Sequence, residues 1–164
     1  MFVLIVIVII LSLMVWPRIF NYAEYWPTSL KKARKMLKLA CLKPKEKFYD
    51  LGCGDGRFVI LAEKEFHAKA AGIELDFIRF LMAKILAFIF ARKSRIIFGS
   101  YLNYNFNDAD VIAVFLKPIP MKELEKKISN LKKGTRIVSH LWKFPHLKPI
   151  TEDKREKIFL YKIK

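Results

Sequence analysis

The apolar residues of this chain recur with different periods, and the points where the period changes mark out its elements. Phe2 to Trp16 shows no period: Ser12 alone interrupts an apolar run that Pro17 and Arg18 close. Between 29 and 42, Leu30, Ala33, Met36, Leu37, Ala40 and Cys41 fall at helical spacing while Lys31, Lys32, Lys35 and Lys38 take the other faces. That pattern predicts an amphipathic helix with Thr28 or Ser29 as its N-cap and Pro44 beyond its end. Downstream, short apolar or alternating runs predict strands at 47–51, 68–75, 94–98, 110–116, 135–141 and 157–163. Helical periods predict helices at 57–66, 76–92 and 120–131. The unbroken Val-Ile-Ala-Val-Phe-Leu run from Val111 suits a central strand covered on both faces.

Strands alternating with helices predict an α/β, Rossmann-like, doubly wound sheet behind an N-terminal hydrophobic helix. One predicted helix departs from the pattern. Between Phe77 and Ala91 only Arg79 and Lys84 are polar, whereas a helix covering a sheet should turn a polar face outwards. Either it touches something besides the sheet (the N-terminal segment, a bilayer surface or a second subunit), or the long loop near Tyr104 covers it.

The N-terminal run carries no charge through Trp16, so all 31 Lys+Arg and 15 Asp+Glu, and the net charge of +16, belong to the remainder of the chain. As a helix, sixteen residues rise about 24 Å, a little short of a hydrocarbon core of about 30 Å. Trp16, Phe20, Tyr22 and Tyr25 supply interface aromatics, which favours a membrane anchor. A cleaved signal peptide would want a basic start and a small-residue cleavage site, and a buried core helix would want a larger partner domain. The division is an anchor at 1–16, a lid segment and basic helix at 17–46, and a catalytic domain at 47–164. Arg18, Lys31, Lys32, Arg34 and Lys35 come after the anchor, which by the positive-inside rule leaves the domain cytoplasmic.

A content of 54% hydrophobic residues excludes a disordered basic tail. Cys41 and Cys53 cannot make a disulfide framework, and with His67, His140 and His146 they show no zinc-ligand spacing, so no metal is expected. The charge is uneven: 17–47 holds nine Lys/Arg against two Glu, whereas 48–56 holds only Asp50 and Asp55. A basic body with an acidic notch fits nucleic acid or an anionic membrane surface outside. A Lys-rich solvated surface is the plainer alternative.

The notch is the glycine-rich turn Asp50-Leu51-Gly52-Cys53-Gly54-Asp55-Gly56-Arg57, between a predicted strand and helix. Counted from Gly52 it reads G-x-G-x-G, so it lacks the third glycine of the dinucleotide fingerprint, and no Walker Gly-Lys-Ser/Thr comes after it. Two carboxylates would repel a pyrophosphate and attract a cation. S-adenosyl-L-methionine, with its sulfonium and ammonium, meets that requirement. Glu74, in Gly72-Ile73-Glu74-Leu75-Asp76, stands where an acid at a second strand's end can take both hydroxyls of a ribose.

These two motifs resemble motif I and the following acidic motif of the seven-strand S-adenosylmethionine-dependent methyltransferases. Tyr25-Trp26-Pro27-Thr28-Ser29, Phe115-Leu116-Lys117-Pro118 and Trp142-Lys143-Phe144-Pro145-His146 extend the likeness. They are similar to the small membrane-anchored protein-lysine methyltransferases that modify the adenine nucleotide translocase and the ATP synthase c subunit, and to prokaryotic relatives. The resemblance implies a seven-strand sheet, open to reduction at its C-terminal end. It further implies that Asp50, Gly52, Gly54, Asp55 and Gly56 hold the methionine part, Glu74 the ribose, and the segment from Tyr25 to Ser29, Pro27 included, closes as a lid. Family members carry an acid after the third strand for the adenine; here Gly99-Ser100-Tyr101 stands instead, with Ser100 as the substitute. Arg57, Phe58 and Ile60 continue the family pattern into the helix, for packing rather than chemistry.

Methyl transfer asks the protein to place a neutral amine behind the methyl and to exclude water. Channel candidates are Tyr25, Trp26 and Thr28 from the lid, Phe115, Leu116 and Pro118 after the fourth strand, and Trp142 after the fifth. Each aromatic can equally be core. Phe-Leu-Lys-Pro replaces the Asn-Pro-Pro-Tyr signature used on planar nitrogens, against adenine-N6 or glutamine methylation. The expected acceptor is a lysine of a protein, a membrane protein included, with the basic body held at an anionic membrane. An RNA methyltransferase and an inactive membrane-tethered donor-binding scaffold are the alternatives.

Overall fold

The computed structural model describes residues 27–164; the apolar run, Tyr25 and Trp26 lie outside the described residues. Helix α1 spans Leu30–Leu39, strand β1 Lys47–Leu51, α2 Arg57–Phe66, β2 Lys69–Glu74, α3 Phe77–Phe90 and β3 Arg95–Phe98. After a 3₁₀ turn at Tyr101–Asn103 come β4 Val111–Val114, α4 Pro118–Ile128, β5 Arg136–His140, β6 Thr151–Asp153 and β7 Ile158–Lys162. The sheet has seven strands in the order β3-β2-β1-β4-β5-β7-β6, so its C-terminal end is not reduced. The first five pair in parallel, and β7 lies antiparallel to both β5 and β6.

Local chemistry sets the element ends. Ser29 caps α1, its hydroxyl accepting from Lys32 N at 3.3 Å. Asp76 caps α3 by accepting from Arg79 N at 2.9 Å. Helix α4 begins at Pro118, two residues earlier than its periodicity predicts, because a first turn has no use for the N–H that Pro118 and Pro120 lack. Strand β6 has no counterpart among the predicted strands: Thr-Glu-Asp is short and polar, and only its pairing with β7 makes it a strand.

Alternate residues of the strands divide the core. Phe48, Ala70, Val111, Ala113 and Val138 face α1 and α2, joined by Ala83 of α3. Leu51, Ile73, Ile112, Val114 and Ile137 face Met121, Leu124 and Ile128 of α4. Tyr104 and Phe106 pack in this second cluster, against Tyr49. The loop near Tyr104 therefore does not cover α3, and seven of that helix's large apolar residues between Phe77 and Ile89 are exposed. Among the described residues no helix is long and apolar enough to cross a membrane.

Close approach of α2 to the sheet depends on Gly72 in β2. A Cβ there would lie 2.7 Å from Cys53 Sγ and 2.8 Å from Val59 Cγ2. Gly72→Ala is expected to cost about 1–3 kcal/mol, the usual penalty for overpacking. A urea midpoint equal to that of the parent would contradict this account.

Candidate active site

The crossovers on either side of β1 run opposite ways along the sheet, which opens a crevice at the carboxyl ends of β1 and β4. Into it runs the turn after β1, where Gly52, Gly54 and Gly56 have φ of 83°, 57° and 80°. Three left-handed residues in five explain why the turn is built on glycine. Amides of Gly52 and Cys53 both donate to Ile73 O, at 2.9 and 3.0 Å, fixing the turn to the end of β2.

Glu74 completes that attachment. Its side chain is buried, with one carboxylate oxygen accepting from Gly54 N at 2.7 Å and the other from Asp76 N at 2.9 Å. Each oxygen keeps a further acceptor position. Asp50 lies in β1 beside Gly72 and Ala113, is 4% exposed, and accepts no hydrogen bond from any described residue. Burial first, then the charges of Glu74 and Asp55, push its pKa well above the usual carboxylate value, while Arg57 opposes them. A buried carboxylate without a donor is a group awaiting a cation. The residues present thus fit an ammonium-bearing ligand that also offers ribose hydroxyls.

Asp55 is engaged otherwise. Arg57 Nε donates to its Oδ1 at 2.9 Å and Nη2 to its Oδ2 at 2.5 Å, a bidentate pair. Nη1 of the same Arg57 donates to Thr28 O at 2.6 Å, so one guanidinium joins the glycine turn to the residues before α1. Arg57 is thus more than the packing residue that the family pattern implies. Its position three residues after Gly54 holds no cue to Thr28, which is distant along the chain.

Across the crevice, Phe115 and Leu116 come after β4 and are partly buried, with Leu116 Cδ2 only 3.3 Å from where a Gly52 Cβ would stand. His140, at the end of β5, is absent from the sequence-based candidates, although a histidine at a carboxyl strand end in such a sheet faces the crevice. Its ring lies against Phe115, with centroids 4.5 Å apart. Lys32 Nζ donates to Nε2 at 3.1 Å, and since an ammonium only donates, Nδ1 carries the proton towards Thr28 Oγ1 at 3.5 Å. Burial, then Lys32, lowers the His140 pKa to about 4.

The other candidates lie further out. Pro27 and Pro118 are exposed, and Trp142 is exposed just past His140, its carbonyl accepting from Ser139 Oγ at 2.8 Å. Ser100 uses its hydroxyl to accept from Leu102 N at 3.2 Å, which caps the 3₁₀ turn beyond β3 and leaves its proton for another partner. Leu75, beside Glu74, is half-exposed and offers an apolar surface that no motif of the chain singles out. Among the described residues, no three His, Cys, Asp or Glu side chains cluster as metal ligands.

A seven-strand doubly wound sheet, a glycine turn flanked by buried acids and a crevice of apolar walls define an S-adenosylmethionine-dependent methyltransferase. Residues 50–151 match the family described as ANTKMT methyltransferase domain. A protein-lysine N-methyltransferase of Saccharolobus islandicus (strain REY15A) is 37% identical over 123 residues, covering 73% of this chain and 76% of that protein. The chain belongs to the ANTKMT methyltransferase-domain family. Among solved structures, an RNA methyltransferase from Salinibacter ruber in complex with S-adenosyl-L-homocysteine has a TM-score of 0.78 and 28% identity, over 84% of this chain and 92% of that one. A point mutant of MtNAS in complex with S-adenosylmethionine, at TM-score 0.67 and 12% identity over 82% and 62% of the two chains, shares the fold.

Two groups of this crevice make stability depend on pH. Because the folded state holds the Asp50 proton to higher pH than the unfolded chain does, the stability involved is lost as pH rises above the ordinary value of 3.8. Asp50→Asn should therefore raise the thermal midpoint of the ligand-free protein at pH 7; a lower midpoint would count against the buried charge. For His140 the unfolded chain binds the extra proton, so stability falls as pH drops from 6.5 towards about 4. Melting curves of His140→Gln should show a flatter pH dependence across that window, and an unaltered slope would refute the assignment.

Proposed function

We propose that the chain is an S-adenosylmethionine-dependent protein-lysine N-methyltransferase that works at or near a membrane, with its catalytic domain on the cytoplasmic side. The observation that carries the donor assignment is the buried Asp50 carboxylate with no hydrogen-bond donor among the described residues, next to Glu74 at the glycine turn. When bound, S-adenosylmethionine supplies an activated methyl group. Asp50 would hold its ammonium, the free acceptor positions of Glu74 its ribose hydroxyls, and Leu75 and Ser100 would border the adenine. Gly52, Gly54 and Gly56 let the backbone approach closely, while Asp55 acts through Arg57.

On the acceptor side the chain's task is to receive a lysine in its neutral form. Phe115 and Leu116 exclude water from the wall of the crevice, and a desolvated amine beside a cationic donor loses its proton more readily. Thr28 and His140 close the same side, with His140 neutral at physiological pH. Tyr25, Trp26, Pro118 and Trp142 would line the approach. The lysine assignment is supported by the Saccharolobus relative, and the membrane assignment by the uncharged run to Trp16 and the +16 charge behind it. The Salinibacter structure favours a second reading, RNA as acceptor.

Labelled donor incubated with membrane-protein, soluble-protein and RNA fractions separates these readings. The expected result is label in membrane protein that acid hydrolysis releases as methyl-lysine; label confined to RNA would replace lysine by RNA. In equilibrium dialysis, Asp50→Ala and Glu74→Ala should each weaken donor binding about tenfold or more, as expected for losing charge-assisted hydrogen bonds. Normal binding by either variant would remove that residue from the site.

A further inference from the structure

Helix α3 lies against β2, β3 and α2 through Ala83 and Ala87, its two buried residues. Opposite them, Phe77, Ile78, Leu81, Met82, Ile85, Phe88 and Ile89 are all exposed, Phe88 the most at 68%. Projected at 100° per residue these seven fall within an arc of about 140°. Phe98 at the end of β3 extends the surface, its ring 5.6 Å from that of Phe77. Soluble domains seldom show so large a continuous apolar face to water.

The margin of this face is cationic. Lys84 Nζ lies 5.5 Å from the ring centroid of Phe80 and the Arg92 guanidinium 5.2 Å from Phe88. Lys93 and Arg95 come next along the chain, both exposed. Helix α3 contains no acid, and Asp76 at its start is taken up by Arg79 N. Nearby Glu63 accepts from Ser94 Oγ and Lys93 N. An apolar stripe edged by lysine and arginine is the chemistry of a helix lying in the headgroup region of an anionic bilayer. A second copy packed on the same face about a two-fold axis would bring Lys84 and Arg92 of both copies to one seam, where like charges repel.

We propose that the outer face of α3 is a lipid-docking surface, seated in the interface of a membrane containing anionic phospholipid. The inference rests on the membrane placement proposed above and names the surface that makes it. Because α3 starts three residues after Glu74, docking this face sets the donor groove at a fixed height beside the bilayer, in reach of lysines that border the membrane.

The test uses the full chain with Cys41→Ser and Phe88→Cys, Cys53 being buried, labelled at position 88 with an environment-sensitive fluorophore. The probe is a vesicle of phosphatidylcholine with phosphatidylglycerol, compared with phosphatidylcholine alone. The expected result is co-sedimentation with a blue shift of the label on the anionic vesicles, lost on adding Ile85→Glu. A label at exposed Asn130, introduced as Asn130→Cys, should not shift. Co-sedimentation without a shift at 88 would overturn the α3 surface while sparing the membrane placement; no co-sedimentation at all would overturn the placement itself. A label already blue before vesicles are added also overturns the proposal. If that emission depends on protein concentration the occupant is a second copy, and if not it is the chain's own N-terminal segment.

Discussion

The carboxylate of Glu74 is the joint on which the crevice depends. It spans two backbone amides, one in the turn after β1 and one at the start of α3. Together with the amides of Gly52 and Cys53 on Ile73 O, it makes the glycine turn part of the sheet rather than a loose loop. A side chain held at both oxygens presents its remaining acceptor positions in fixed directions. The end of β2, the approach to α3 and the turn after β1 thus meet at this one residue.

Around that joint the electrostatics oppose the rest of the molecule. A chain of net charge +16 buries Asp50 and Glu74 together and tucks Asp55 against a guanidinium close by. Two carboxylates in one buried notch cost stability in the empty protein, and a cationic ligand removes that cost. The Asp50 oxygens accept no hydrogen bond from any described residue, and beside them the Glu74 oxygens keep acceptor positions of their own.

The sheet and the glycine turn with its two buried acids were legible because their signals are local. Periodicity found six of the seven strands, and the spacing of Asp50, the glycines and Glu74 fixed the notch within one βαβ unit. Strand β6 escaped because its three residues owe their conformation to β7 rather than to any pattern of their own. His140 and Arg57 escaped for a related reason: each acts on Thr28, which sequence distance separates from them by 112 and 29 positions. The apolar excess of α3 was visible in the chain, but only the packed structure shows that Ala83 and Ala87 are the residues turned inwards and the large ones are not.

Arg57 gives the two sides of the crevice a common fate. Its guanidinium grips the glycine turn through Asp55 and the chain ahead of α1 through the Thr28 carbonyl. A planar group bonded at both edges fixes the glycine turn and the Thr28 segment relative to one another. The wall that carries the buried acids and the residues that lead into α1 are thereby one unit rather than two.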